Sequence, residues 1–583
     1  MSDFGTVVLA LSAATGAWCA WPAPFALAAV AVVLALIGRW SVLLIIGVAL
    51  LTGTLAARSW AGLHPPKQGV YQGVVTLVSD PAAVDAETRV EVRVGTKRVE
   101  AWAHGQAARA LTDRLAGERV ALAGQIEPVP PSSRARLAAR HIAARMSVDR
   151  VGAWTAGDPP SRLANGVRRT LARGAESLSP SHRALFLGFV LGDDRGQTPE
   201  VVDDFRGAGL THLLVVSGEN LAFVLALLGP LLRRLAIGGR LVVAATVLLF
   251  FGLLTRWEPS VLRAVAMVSV SMLAWAVGRP TSTVRLLALA ITGLLVIDPL
   301  LVHSVGFLLS VGACAGIAVL AKPIADALPG PRPLADALGV TMAAQLGVAP
   351  VLVPVFGGLP VASLPANLLA VPAAGPVMMW GIAAGLPAGA VGGVVARAVC
   401  VPTGLLIGWI AGVAQWSSAA PLGQLGAVHV LVLGALVALG VAVRSRRGRF
   451  ALVAVATLVL LQPAAALATG RPPWHTAPIA GADLYRLDRA TVLVVDTARP
   501  DQLLRAVHAA GVRAIDLLVV TRQSRTTSAA VASLRERVPT RSLADTTNTT
   551  TATAIDVGSI AVRLTPGGRT IQVEVSRRSR EFD

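Results

Sequence analysis

Charge is the first thing this sequence is short of. Only 15% of its 583 residues are Asp, Glu, Lys or Arg, where soluble globular chains carry roughly 25%. Lysine is almost missing, with Lys67, Lys97 and Lys322 alone, so arginine supplies nearly all of the net charge of +19. Cysteine is limited to Cys19, Cys314 and Cys400, all in apolar stretches. Three scattered thiols exclude a disulfide framework and a zinc motif and read as small core residues. There is no Gly-x4-Gly-Lys-Ser/Thr loop, so energy for any transport must come from elsewhere. The N-terminal stretch lacks the basic start of a signal peptide and is expected to be retained.

What the chain has is apolar sequence: 54% hydrophobic residues and a mean hydropathy of +0.65. Long uncharged runs fall at 6–21, 23–37, 41–57, 209–232, 241–255, 260–277, 284–297, 302–321, 335–356, 361–383, 391–414, 424–443 and 450–468. A helix needs about 20 apolar residues to cross a bilayer, with roughly 17 a minimum. Runs 23–37, 241–255 and 284–297 are the shortest against that measure. The expected architecture is a mainly α-helical polytopic membrane protein of about 11–13 transmembrane helices.

Basic residues are retained on the cytoplasmic side. The loop "RSRRGR" at 444–449 is the strongest marker, and counting spans back from it also places Arg39, Arg233, Arg234, Arg240, Arg279, Arg285, Lys322 and Arg332 inside. Both polar regions, 58–208 and 469–583, then fall outside, and Arg256 is the one bundle arginine left on an outer loop.

Within the first polar region, "YQGVVTLVSD", "TRVEVRV", "KRVEAWA" and "ERVALAGQI" read as strands separated by turns at Pro81, Gly95, Gly117 and Gly124. About five short strands suit a small barrel of the oligonucleotide/oligosaccharide-binding (OB) type. Such barrels hold single strands with a basic groove and stacking aromatics. The candidates are Arg89, Arg93, Lys97, Arg98 and Trp102, then Arg134, Arg136 and Arg140. Alternation puts Arg89, Glu91 and Arg93 on one face. Taken alone, this segment is better explained as a solvated sheet face with a lone Trp in a core. Further on, "RLANGVRRTLARGAESL" is an arginine-rich amphipathic helix suited to a membrane surface. Thr198 and Pro199 form a helix start, with Glu200, Asp203 and Asp204 in its first turns.

The run "THLLVVSGENLAF" (211–223) is interrupted by Ser217, Gly218, Glu219 and Asn220. Backbone that leaves a helix at membrane depth must be buried in protein or line a hydrated cavity. Glu219 has Arg263, His212 and His303 as possible partners. Asp298, Gln345 and Asn367 sit in comparable settings, and Pro360, Pro365, Pro372 and Pro376 break a second span. Interhelical hydrogen bonding accounts for Gln345 alone. The four-residue cluster with a second broken span points to a translocation pathway.

The run "ALFLGFVLGDDRGQTPEVVDDFRGAGLTHLLVVSGENLAF" resembles the signature of ComEC competence proteins, bacterial channels that import single-stranded DNA. The matching positions are Leu191, Gly192, Asp193, Pro199, Gly209, Leu210, Thr211, His212, Leu213, Ser217 and Gly218. Arg263, Asp298, Gly306, Phe307, Ser310, Gln345, Pro350, Phe356, Asn367 and Pro372 follow in order. The resemblance implies N-terminal transmembrane helices at 1–57, an extracytoplasmic OB-like domain at 58–160 and amphipathic helices at 161–208. It continues with a competence bundle at 209–468 and a metallo-β-lactamase-like domain at 469–583. Its implied partners are single-stranded DNA, the lipid bilayer, a DNA receptor outside and a motor or single-strand-binding protein inside.

Two departures qualify the resemblance. Asn220 stands where the family often has His. Where the nuclease form carries His-x-His-x-Asp-His, this chain has Arg522, Ser524, Thr526 and Thr527, none a usual metal ligand. His475 and His508 cannot rebuild a two-metal site, so the C-terminal domain is expected to be a non-catalytic remnant with no metal or other cofactor. A small-solute or proton-coupled transporter, with Glu219 binding the cation, and a membrane hydrolase that has lost its metals are the alternatives.

Overall fold

A computed structural model of the chain describes residues 2–84, 87–279, 281–443, 445–469, 474–488, 490–546, 553–564 and 571–575. Arg444 of the basic loop lies outside the described residues, as do residues 547–552 of the Thr-rich segment 545–556, whose composition reads as loop. The last residues of that segment instead belong to a strand, Thr553–Val557.

Three apolar helices open the chain: α1 (Asp3–Cys19), α2 (Phe25–Gly38) and α3 (Ser41–Gly62). Small residues let α1 and α3 approach closely, since a Cβ at Gly16 would stand 2.1 Å from the Ala49 carbonyl oxygen. There follow β1 (Gly69–Leu77), β2 (Ala82–Val84), β3 (Glu87–Val94), β4 (Lys97–His104), α4 (Gly105–Thr112), β5 (Arg119–Pro128), α5 (Arg134–Ala138) and β6 (Ile142–Thr155). β1 pairs antiparallel with both β3 and β5. β3 pairs with β4, β4 runs parallel to β6, and β6 returns to β5, so five strands close into a ring. The alternation read from the sequence is realised: Val90, Val92, Val99, Ala101 and Ala103 point into the core with Leu122 and Met146.

The connecting helices are α6 (Pro159–Gly174), α7 (Pro180–Leu191) and α8 (Pro199–Gly207). Each begins with Pro after an oxygen-bearing cap: Asp158, Ser179 and Thr198 accept from the amides of Ser161, His182 and Val201. The bundle then runs through α9 (Gly218–Leu227), α10 (Gly229–Arg233), α11 (Ile237–Leu254), α12 (Pro259–Ala276), α13 (Thr283–Ile297), α14 (Val305–Ala327) and α15 (Arg332–Phe356). It ends with α16 (Ser363–Val391), α17 (Gly393–Ala419), α18 (Ala427–Ala442) and α19 (Arg446–Thr469). The second break expected from Pro360, Pro365, Pro372 and Pro376 is not there: Pro360 precedes α16, Pro365 lies in its first turn, where a missing amide costs no helical bond, and the helix runs on through Pro372 and Pro376. A short pair, β7 (Leu359–Pro360) with β8 (Gln424–Leu425), ties the α15–α16 and α17–α18 connections together.

Among the described residues, eight helices are long and apolar enough to cross a membrane, and five shorter apolar helices accompany them. The protein is a multi-pass membrane protein. The run at 209–232 is not one helix: residues 211–213 form a single 3-10 turn, and regular helix starts only at Gly218.

The C-terminal region is a mixed α/β unit of β9 (His475–Ile479), β10 (Ala482–Leu487), β11 (Ala490–Val495), α20 (Pro500–Ala509), β12 (Ile515–Val520), α21 (Arg525–Arg537) and β13 (Thr540–Asp545). These strands form one sheet in the order β13-β12-β11-β10-β9. One face is covered by α20 and α21 through Leu503, Leu504, Val507 and Leu534. The other packs on a small sheet of β14 (Thr553–Val557), β15 (Ile560–Leu564) and β16 (Ile571–Val575), with Ile560 and Val562 buried between the layers.

Contacts put both β-containing regions at one end of the bundle. Lys97 reaches the Gly62 carbonyl at the end of α3, and His141 meets Asp298 at the end of α13. Arg499 lines a cleft together with Arg89, Glu100 and Trp102 of the ring. At the far end, Arg285 pairs with Asp3 and Arg449 donates to the Asp326 carbonyl. Phosphatase fusions truncated after Leu63 or Asp488 are therefore expected to be active in a bacterial host, and fusions after Leu328 or Ser445 inactive. Equal activity of all four would overturn this arrangement.

Candidate functional site

The outward face of β3 and β4 concentrates polar side chains. Register places Arg89 opposite Trp102, Glu91 opposite Glu100 and Arg93 opposite Arg98. Two carboxylates directly across a strand pair repel, and both are buried, so cations must hold them. Arg140 donates from Nε to Glu91 at 2.6 Å, and Arg145 reaches Glu100 at 3.2 Å. Trp102 Nε1 donates to the same Glu100 at 3.1 Å. Arg140 is thus committed to the fold.

Lys97 likewise sits on the α3 carboxyl terminus, where a cation complements the helix dipole. Arg93 and Arg134 are exposed. Arg89, Trp102 and Arg136 line one cleft of about 370 Å³ with Glu87, Glu100, Arg145 and Arg499. Arg145 and Arg499 were not singled out from the sequence. Arg145 falls on the parallel neighbour of β4, a pairing that local periodicity does not reveal.

Beside this cleft lies a buried polar hub. Arg168 of α6 donates to Asp80 at 2.8 Å and Asp193 at 3.1 Å, and to the Leu191 and Leu254 carbonyls. Arg256 donates to Asp80 at 2.8 Å and to Asn165 at 2.8 Å. Burial alone would raise the Asp80 carboxyl, but Arg168 and Arg256 outweigh it and hold it well below the usual carboxylate range. Arg256 therefore has a structural reason for being on the same side as the ring. Nearby, burial first, then Asp194 and Glu91, push Glu258 up to about 7 against the pull of Arg140.

The interrupted run is clarified by its contacts. Ser217 precedes α9 and accepts from the Glu219 amide at 3.2 Å while bonding Asn220 at 3.0 Å. Asn220 is 2% exposed and donates to the Phe189 carbonyl at 2.9 Å. A Cβ at Gly218 would stand 2.7 Å from the Ala264 Cβ and 3.1 Å from Arg263 Nη2, so glycine is what admits α12 here. Arg263 does not pair with Glu219. It turns to Ser310 Oγ at 2.7 Å and Cys314 Sγ at 2.6 Å.

Glu219 is exposed with no ion pair among the described residues. His303 packs instead against Trp18 and Trp60. Asp298 serves the domain contact through His141 at 2.9 Å and caps Leu300. Gln345 bonds the Ser363 hydroxyl, and Asn367 donates to the Ser363 carbonyl at 2.7 Å. Cys314 and Gln345 fall at one level of the α14–α15 pair, between the Gly312–Gly347 and Gly316–Ala343 approaches.

In the C-terminal unit, Ser524 caps α21 by accepting from the Thr527 amide at 3.0 Å, so the four positions of the missing metal motif lead into a helix start. His475 bonds Asp483 at 2.9 Å and His508 faces Asp203 at 3.7 Å. Among the described residues no group of three His, Cys, Asp or Glu is placed to hold a metal. The unit docks on α8 and α17 through Arg537, Asp204 and Ser418.

These features define a polytopic helical protein with a basic, Trp-bearing cleft built on a closed β-ring at one end. Residues 189–447, which hold most of the helical bundle, match the family model described as Competence protein. Over 202 residues the chain is 30% identical to ComE operon protein 3 of Bacillus subtilis (strain 168), covering 33% of this chain and 25% of that protein. It is also 27% identical over 203 residues to Uncharacterized protein YcaI of Escherichia coli (strain K12), covering 32% and 27%. The matched stretch thus spans about a quarter of each of these relatives. No solved structure matches.

Removing one partner of a buried ion pair strands the other, at about 3–5 kcal/mol. Asp80→Ala and Arg168→Met are expected to destabilise the detergent-solubilised protein on that scale in thermal melts. A loss under about 1 kcal/mol would deny the hub its role. For Glu258, the folded value lies above the unfolded one, near 4.5, so stability falls as pH rises from about 4.5 to about 7. Glu258→Gln is expected to raise the melting temperature at pH 8 and leave it nearly unchanged at pH 4.5. The same shift at both pH values would contradict this.

Proposed function

We propose that this protein conducts single-stranded DNA across the bacterial cytoplasmic membrane during natural transformation, with both β-containing regions on the extracytoplasmic side. The observation that carries the reading is the cleft that Arg89, Arg136, Arg145 and Arg499 line together with Trp102, Glu87 and Glu100, in a chain whose bundle matches the competence protein model over residues 189–447. Cations neutralise phosphates and an indole stacks on any base, which is how sequence-tolerant single-strand sites are made. The ring supports the same reading. Its five main strands pair in the order first-second-third-fifth-fourth-first, with a helix between third and fourth. We read this as an OB-type barrel.

The strand would pass from this cleft toward the non-helical segment ahead of α9 and the polar groups of α12, α14, α15 and α16. The C-terminal unit, read as a metallo-β-lactamase-like domain, would act as a wall of the cleft rather than as a nuclease. Strand degradation, the DNA receptor outside and the motor or single-strand-binding protein inside would be separate proteins. A second reading, a cation-coupled transporter of a small solute, is favoured only by Glu219, which stands exposed in the short apolar helix α9 with no ion pair among the described residues.

Arg89→Glu/Arg136→Glu is expected to lower uptake of labelled DNA by roughly tenfold or more, whereas Glu219→Gln retains it. The reverse pattern would favour the transporter. Binding of an oligothymidylate to the purified protein should weaken with salt at a log–log slope of about −1.4, for two phosphates met by Arg89 and Arg136 at about −0.7 each. A slope indistinguishable from zero would rule out this cleft as a phosphate site.

A further inference from the structure

A second cavity, of about 530 Å³, lies between α6 and α7 and is lined by Gly166, Arg169, Thr170, Ala172, Arg173 and Arg183. While Arg168 turns inward to the hub, Arg169 and Arg173 are one turn apart on the opposite face of α6. Gly166 leaves the floor open, with nothing within 4 Å of where its Cβ would stand. Two carboxylates approach these cations. Glu118 is shared by Arg169 and Arg114, and Glu176 stands off at 3.9 Å from Arg183. Arg173 donates to the Thr170 hydroxyl at 3.1 Å and has no carboxylate within 4.0 Å among the described residues. The cavity is thus under-neutralised.

Apolar surface lies close by. The Thr170 carbonyl packs against Gly389 of α16, and two residues beyond that contact the α16–α17 tip begins, where Val391, Val394 and Val395 stay exposed. No aromatic ring lines the cavity, so it lacks the stacking surface a nucleotide strand uses. Guanidinium groups and a hydroxyl beside exposed aliphatic surface match a phosphodiester carrying acyl chains.

We propose that this cavity binds the headgroup of an acidic phospholipid and seats α6 on the membrane surface. The proposal requires only that the chain spans a membrane and is independent of DNA conduction. Arg169 also braces the ring through Glu118 and is left intact in the test. Full-length protein and Arg173→Gln/Arg183→Gln are purified in detergent, exposed to equimolar phosphatidylglycerol and phosphatidylcholine, washed, and the retained lipid quantified by mass spectrometry.

The intact protein is expected to retain phosphatidylglycerol preferentially. The double variant should lose roughly fivefold per arginine removed, from about 1 kcal/mol for each basic residue at an anionic surface. Arg173→Lys/Arg183→Lys should keep most of the preference. Equal retention of both lipids, or unchanged phosphatidylglycerol in the double variant, overturns the site. Displacement of the lipid by millimolar inorganic phosphate would replace it with a free-anion site. Loss of oligothymidylate binding in the double variant with lipid retention unchanged would assign the cavity to nucleic acid.

Discussion

The arrangement of this protein depends on one buried guanidinium. Arg168 is 3% exposed and meets four acceptors on three separate parts of the chain: Asp80 on the ring, the Leu191 carbonyl and Asp193 at the end of α7, and the carbonyl that ends α11. A charge taken that far from water is tolerated only when its donors are met by acceptors in good geometry. Arg256 completes the set by gripping both oxygens of Asp80. The ring is thereby held to the membrane bundle by a specific ionic lock.

That economy of polar groups recurs through the bundle. Within Ser217-Gly218-Glu219-Asn220, three members build the fold: a helix cap, a close approach to α12, and a side chain that satisfies a carbonyl of α7. Glu219 alone is left over. Asp298 also turns out to join the ring to the bundle through His141. Polar residues in apolar sequence thus mark two different needs, a place where backbone must leave the helix and a place where two units must lock. Both demand hydrogen-bonding capacity where water is scarce.

The C-terminal unit carries the same lesson in another form. Ser524 and Thr527 organise the start of α21, while Arg537 and His508 face Asp204 and Asp203 of α8. The two acidic residues that looked like ordinary first-turn charges of α8 are thus the socket for a neighbouring domain.

By itself, the sequence determined the apolar helices, the helix start at Pro199, the alternation of the ring strands and the interruption at Ser217. Each follows from local chemistry: a missing amide, a capping oxygen, a period of two, a polar break in an apolar run. Only the tertiary structure decided that Arg263 turns to Ser310 and Cys314 instead of Glu219, that Arg140 is used up by Glu91, and that Arg145 and Arg499 join Arg89 and Trp102. Those pairings connect residues dozens to hundreds of positions apart, and which cation meets which carboxylate depends on strand pairing and domain docking that no local pattern encodes.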